Sequence, residues 1–151
     1  MAIVYLALGS NLSDRKAMIQ KAISHLNTQD IKILKISTII ETDPVGGPAQ
    51  NKYLNAVLKA QTYFSAEDLL TITKAIEIKI GRIKKVVNGP RLIDIDILLY
   101  DDLKLVTRGL VIPHPRMMER SFVLKPLEEI EPRLCASFQP KADPPLAEKQ
   151  L

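Results

Sequence analysis

Tryptophan is absent from the 151 residues, cysteine occurs once, at Cys135, and histidine twice, at His25 and His114. A lone cysteine cannot close an intramolecular disulfide, and one cysteine with two histidines cannot supply zinc-finger spacing. The chain therefore suits a reducing compartment, with Cys135 read as a buried or inert thiol. No apolar run is long enough to cross a bilayer, and the N-terminal MAIVYLALGSN lacks a basic leader and breaks off at Gly9. A cytoplasmic protein with no membrane association is expected. Neither G-x-x-x-x-G-K-[ST] nor G-x-G-x-x-G occurs, so any phosphate must be held by side chains. Four tyrosines and three phenylalanines offer few stacking platforms, which argues against a general single-strand nucleic-acid binder.

What is present is an ordinary globular mixture, 46% hydrophobic and 25% charged, able to bury roughly two-thirds of its unfolded surface around one core. One domain over residues 1–139 is expected, followed by a poorly ordered tail, 140–151, that lacks a periodic apolar face. A net charge of +4 favours an anionic ligand without naming it. The apolar run 3–8 reads as a strand stopped at Gly9, and Ser13 or Asp14 can cap a helix whose Ile19, Ala22, Ile23 and Leu26 share one face. The β-branched segment 31–41 reads as a second strand, 43–50 as a Pro/Gly loop, and 53–63 as a third strand. Ser65 opens a helix that ends at Gly81, LIDIDILLY at 92–100 is a fourth strand, and short helices follow between prolines. The order β-α-β-β-α-β predicts an α+β fold: a ferredoxin-like antiparallel sheet with two helices on one face and C-terminal helices able to cover the other.

Asp94 and Asp96 carry the sharpest chemical signal. Residues i and i+2 of a strand project to one face, so two carboxylates converge while Ile93, Ile95 and Ile97 point into the core. Two ionised acids side by side repel unless a cation joins them, and oxygen donors of this kind suit Mg²⁺, which completes its shell with water and phosphate. A solvated acidic edge explains the pair equally well. Arg82, Lys84, Lys85 and Arg91 lie in the loop leading into that strand, a setting for polyphosphate or simply a soluble loop. His114 stands between prolines with Arg116 and Arg120 after it, mounted to face a ligand or merely incidental. Tyr53 and Asn55 share a strand face, and Asn55 is satisfied either by a ligand or by neighbouring backbone. Glu77 falls at the margin of its helix's apolar face, where a solvated carboxylate is expected.

Five segments, ALGSNLSDR (7–15), ETDPVGGPAQNKYLNAV (41–57), IEIKIGR (76–82), GPRLIDIDILLY (89–100) and IPHPRMMERSFVLKPLEEI (112–130), together resemble the 6-hydroxymethyl-7,8-dihydropterin pyrophosphokinase family. The resemblance implies pyrophosphoryl transfer from ATP to a reduced pterin in folate biosynthesis, with two Mg²⁺ ions held by Asp94 and Asp96. It implies catalytic roles for Arg82, Arg91, Asp94 and Asp96, and ATP contacts from Glu77, Arg82, Lys85, Arg91, Ile97, His114 and Arg120. The pterin would lie between Tyr53 and Phe122, with its edge meeting Thr42, Pro44, Val45 and Asn55. Lys84 stands where many members carry Arg, and Val87-Asn88 where some carry an aromatic residue. Loops 43–50 and 82–90 are expected to close over the substrates and exclude water. Small-molecule substrates and a monomer follow, with no nucleic-acid partner. Two weaker alternatives are a nucleotidyltransferase, suggested by Gly9-Ser10 and the Asp-x-Asp pair, and RNA recognition on the sheet.

Overall fold

The computed structural model describes residues 1–28, 30–44, 46–47, 49–81 and 90–137, with side chains described as far as Leu134. Val45, the basic loop 82–89, the tail 140–151 and the side chain of Cys135 lie outside the described residues. The main elements are β1 (Ala2–Ser10), α1 (Arg15–Leu26), β2 (Ile31–Ile36), β3 (Ile40–Thr42), β4 (Tyr53–Thr62), α2 (Ala66–Ile80) and β5 (Asp94–Tyr100). After them come a small hairpin, β6 (Leu105–Val106) with β7 (Val111–Ile112), a turn of 3-10 helix at Met117–Glu119, α3 (Ser121–Ile130) and α4 (Pro132–Ser137).

The antiparallel sheet has the order β2-β4-β1-β5, and β3 pairs with β4 beyond the end of β2. This is the expected ferredoxin-like arrangement. Helix starts follow local chemistry: Asp14 accepts from the Ala17 amide at 3.1 Å, Ser65 accepts from the Asp68 amide at 3.1 Å, and Gly81 ends α2 in the left-handed region at φ 117°. Alternation along β1 divides the interior. Val4, Leu6 and Leu8 pack with Ile19, Ala22 and Leu26 of α1 and Leu69 and Ile76 of α2. Tyr5 turns the other way, joining Val57, Leu98 and Leu99 beneath Val123, Leu127 and Ile130 of α3.

Three local departures from the sequence reading matter. The expected strand 31–41 is two strands, because Ser37 interrupts it: its Oγ accepts from the Val57 amide at 2.9 Å and its own amide donates to the Val57 carbonyl at 2.9 Å. Gly9 does not end β1: it is paired on both sides, with Asn55 and Asp94, and the strand continues to Ser10 opposite Leu54. In β5 the register against β1 slips by one residue between Tyr5 and Leu6, a bulge at Leu98 that lets Leu98 and Leu99 both enter the α3 side of the core. The wholly apolar end of LIDIDILLY follows from that bulge.

The C-terminal end of α3 is tied to the sheet through Glu131, whose Oε1 accepts from Lys59 Nζ at 2.7 Å and from the Tyr5 hydroxyl at 2.8 Å. The Lys59 bond first, and the Tyr5 bond second, hold the Glu131 carboxyl below its ordinary value of 4.5. Because the folded-state pKa lies below the unfolded one, this tie contributes fully above pH 4.5 and is lost as pH falls through the folded value. Thermal melts should therefore separate wild type from Glu131→Gln most clearly well above pH 4.5, with the gap narrowing as pH falls below it. A gap independent of pH would contradict this role.

Candidate active site

On the α3 side of the sheet, the register places Asp94 opposite Gly9 and Asp96 opposite Ala7, while across β1 Gly9 faces Asn55 and Ala7 faces Val57. The central strand thus contributes its two smallest side chains to the floor between the carboxylates and Asn55. The result is a pocket rather than a packed layer. Its walls include Thr42, Tyr53 and Asn55 on one side and Arg120, Phe122 and Val123 on the other. Thr42 is the cross-strand partner of Tyr53, and Asn55 Nδ2 donates to Thr42 Oγ1 at 2.6 Å. Asn55 is buried, is oriented by the Thr42 hydroxyl, and shares the pocket lining with the rings of Tyr53 and Phe122.

A second depression adjoins the first and is lined by Lys74, Glu77, Ile97, Arg108, Leu110 and Pro115. Asp94, Asp96, Arg91 and His114 line both. The carboxylates consequently sit where two binding spaces meet, not on a solvated edge, although β5 is the outer strand of the sheet. Ile97 belongs to the core on the helix side as well as to this second wall.

Glu77 departs from the expectation of a solvated side chain: it is 3% exposed, and its Oε2 accepts from the Ile95 amide at 2.8 Å. That bond grips β5 midway between the two aspartates and helps set which way they project. His114 is fixed by its amide donating to the Leu98 carbonyl at the bulge, 2.9 Å away. Its Nδ1 accepts from the Arg116 amide at 3.2 Å, which leaves Nε2 as the N–H donor of the neutral ring. Burial, with Arg120 and Arg116 adding to it, lowers the His114 pKa below 6.5 against an opposing pull from Asp94. A neutral imidazole offering one N–H suits an anionic oxygen. Arg120 also lies over the Phe122 ring at 5.5 Å, so both the guanidinium and the ring are oriented by stacking.

Asn11, which the sequence reading quoted without assigning it to the site, is fully buried and fastens two approaches to the pocket. Its Nδ2 donates to Gln50 Oε1 at 2.8 Å and to the Asn51 carbonyl at 3.0 Å. Its Oδ1 accepts from the Arg91 amide at 2.7 Å, and its own amide donates to the Arg91 carbonyl at 3.0 Å. Lys74 and Arg108 were likewise not anticipated; neither lies in a pattern distinguishable from a solvated surface charge. Pro44 is half-buried and lies off both pocket walls as described. Val45, Arg82 and Lys85 fall outside the described residues.

The sequence profile of 7,8-dihydro-6-hydroxymethylpterin-pyrophosphokinase (HPPK) matches residues 5–132. The chain belongs to this family. It is 43% identical over 129 residues to the 2-amino-4-hydroxy-6-hydroxymethyldihydropteridine pyrophosphokinase of Bacillus subtilis, covering 85% of this chain and 77% of that protein. The enzyme of the same name from Aquifex aeolicus is 46% identical over 134 residues, covering 89% and 83% respectively. Among solved structures, a triple-mutant HPPK-DHPS of Plasmodium falciparum superposes with a TM-score of 0.67 at 15% identity, over 87% of this chain but only 40% of that one. The superposition supports the HPPK fold, and the sequence relatives establish the enzyme class: this HPPK chain is a pyrophosphokinase of folate biosynthesis.

Proposed function

We propose that the chain transfers the β,γ-pyrophosphoryl group of ATP to the hydroxymethyl oxygen of 6-hydroxymethyl-7,8-dihydropterin. The oxygen forms its bond to the β-phosphorus as the bond between the bridging oxygen and that phosphorus breaks, so AMP departs and a proton is released. The observation that carries this reading is the pair of adjoining pockets that share Asp94, Asp96, Arg91 and His114. In-line transfer between two bound molecules needs such a shared boundary.

The first pocket takes the pterin: Tyr53 and Phe122 supply ring faces, and Asn55 and Thr42 supply oriented polar atoms; the family resemblance adds Pro44 and Val45, the latter outside the described residues. The second takes ATP, against Ile97 and the Glu77 wall, with its phosphates toward Arg91 and His114 on the shared boundary and Arg120 on the wall of the first pocket; the family resemblance adds Arg82 and Lys85, which lie outside the described residues. Two carboxylates with no third acidic or sulfur ligand among the described residues form a donor set suited to Mg²⁺, which retains waters and takes phosphate oxygens. Asp94 and Asp96 would hold two such ions, whose bound charge neutralises the triphosphate and acidifies the attacking hydroxyl. The protein's own contribution is to orient both substrates and to keep His114 neutral as a donor.

Product analysis tests the assignment. Incubation with ATP, Mg²⁺ and the reduced pterin should yield AMP and a pterin pyrophosphate in equal amounts by phosphorus NMR. Inorganic pyrophosphate with an adenylylated pterin would instead show attack at the α-phosphorus and make the chain a nucleotidyltransferase.

A further inference from the structure

Arg15 is the first residue of α1, directly after its N-cap Asp14, whose carboxylate already complements the helix dipole, so the dipole gives Arg15 no role there. Its Nη1 lies 2.9 Å from Glu41 Oε2 and donates to the Lys52 carbonyl at 2.9 Å. Those two partners immediately precede Thr42 and Tyr53, the cross-strand pair in the wall of the first pocket. Glu41 lies within β3, and Lys52 is the last residue of the loop that leads into β4. β3 is only three residues long, so its own ladder holds this edge weakly. The Glu41 carboxylate is about half exposed, and an ion pair of that kind contributes little to stability. A side chain that adds little stability yet joins the start of α1 to β3 and to the residue entering β4, directly behind Thr42 and Tyr53, is placed for a different purpose.

We infer that Arg15 is a positioning residue for the pterin: it sets the spacing of β3 and β4, so that the Tyr53 ring and the Thr42–Asn55 pair are preorganised before substrate enters. This rests on the reading of the first pocket as the pterin pocket. Without Arg15, the ordering of this edge must be supplied at each binding event, which weakens pterin capture and leaves the nucleotide pocket on the far side of the carboxylates undisturbed.

The test compares full-length wild type with Arg15→Met, which keeps the aliphatic stem, and Arg15→Lys, which can keep one of the two contacts. Pterin binding is measured by calorimetry with a non-hydrolysable ATP analogue and Mg²⁺ present, beside KM for each substrate and the melting temperature. Arg15→Met should weaken pterin binding about tenfold, with Arg15→Lys intermediate, while the ATP KM stays within about twofold and melting shifts by no more than about 2 °C. Unchanged pterin affinity in Arg15→Met, beside normal wild-type binding, overturns the positioning role alone. So does an equal loss for both substrates that tracks a lowered melting temperature. Failure of wild type to bind the reduced pterin at all overturns the pocket assignment and this inference with it.

Discussion

Replacing Asp94 or Asp96 by Asn should lower turnover by about a thousandfold or more while the protein still folds, with melting changed by only a few degrees. Asn matches Asp in shape, so the strand and its core-facing Ile95 and Ile97 keep their packing. What is lost is negative charge at the boundary of the two pockets. Among the described residues no third acidic side chain joins the pair as a ligand, so either substitution removes half of the carboxylate charge available to a cation there. The electrostatic stabilisation of a transferring phosphoryl group commonly amounts to several kcal/mol, about a thousandfold or more in rate. Steady-state kinetics over a wide Mg²⁺ range check this, and near-normal turnover at ordinary Mg²⁺ in either variant would remove the carboxylates from the chemistry.

Enlarging Gly9 should close the first pocket from below. A Cβ at this position would stand 3.0 Å from Asn55 Oδ1 and 3.5 Å from Cδ2 of the Tyr53 ring. Asn55 has little room to yield, since its Nδ2 is held by Thr42. Gly9→Ala should weaken pterin binding by about tenfold, and Gly9→Val, whose methyl groups reach the ring, by about a hundredfold. ATP affinity should stay near wild type, because Gly9 lines the first pocket and not the second. Calorimetry with each ligand separately reads the difference. Equal losses for both ligands would mean that the substitution damages the sheet rather than the pocket.

Much of the fold was legible because local rules and tertiary packing agree. The faces of α1 and α2, their caps at Asp14 and Ser65 and the stop at Gly81 all follow from spacing and residue type. The opposed faces of Asp94 and Asp96 against Ile95 and Ile97 follow from strand alternation alone. The misreadings occurred where a side chain takes over a backbone role or a tertiary contact overrides a local signal. Ser37 breaks a run of β-branched residues by bonding to Val57 from its own side chain, which the pattern of 31–41 does not reveal. Gly9 looks like a strand stop, yet it serves a close approach inside a paired strand. Glu77 lies at the edge of an apolar stripe, and only the approach of β5 buries it. Asn11 bonds to residues 39, 40 and 80 positions away, so no local pattern could assign it. The pterin-side and phosphate-side residues were grouped by resemblance to the HPPK family, and the sheet register brings most of the described ones to the two pockets.

In the proposed reaction Asp94 and Asp96 join nucleotide and pterin through bound divalent cations. Manganese, read by electron paramagnetic resonance in place of magnesium, tests this most directly. Titrated into protein saturated with a non-hydrolysable ATP analogue and the reduced pterin, about two tightly held ions per chain are expected, with at least one lost in Asp94→Asn and in Asp96→Asn. An ion count and affinity unchanged in both variants would contradict it.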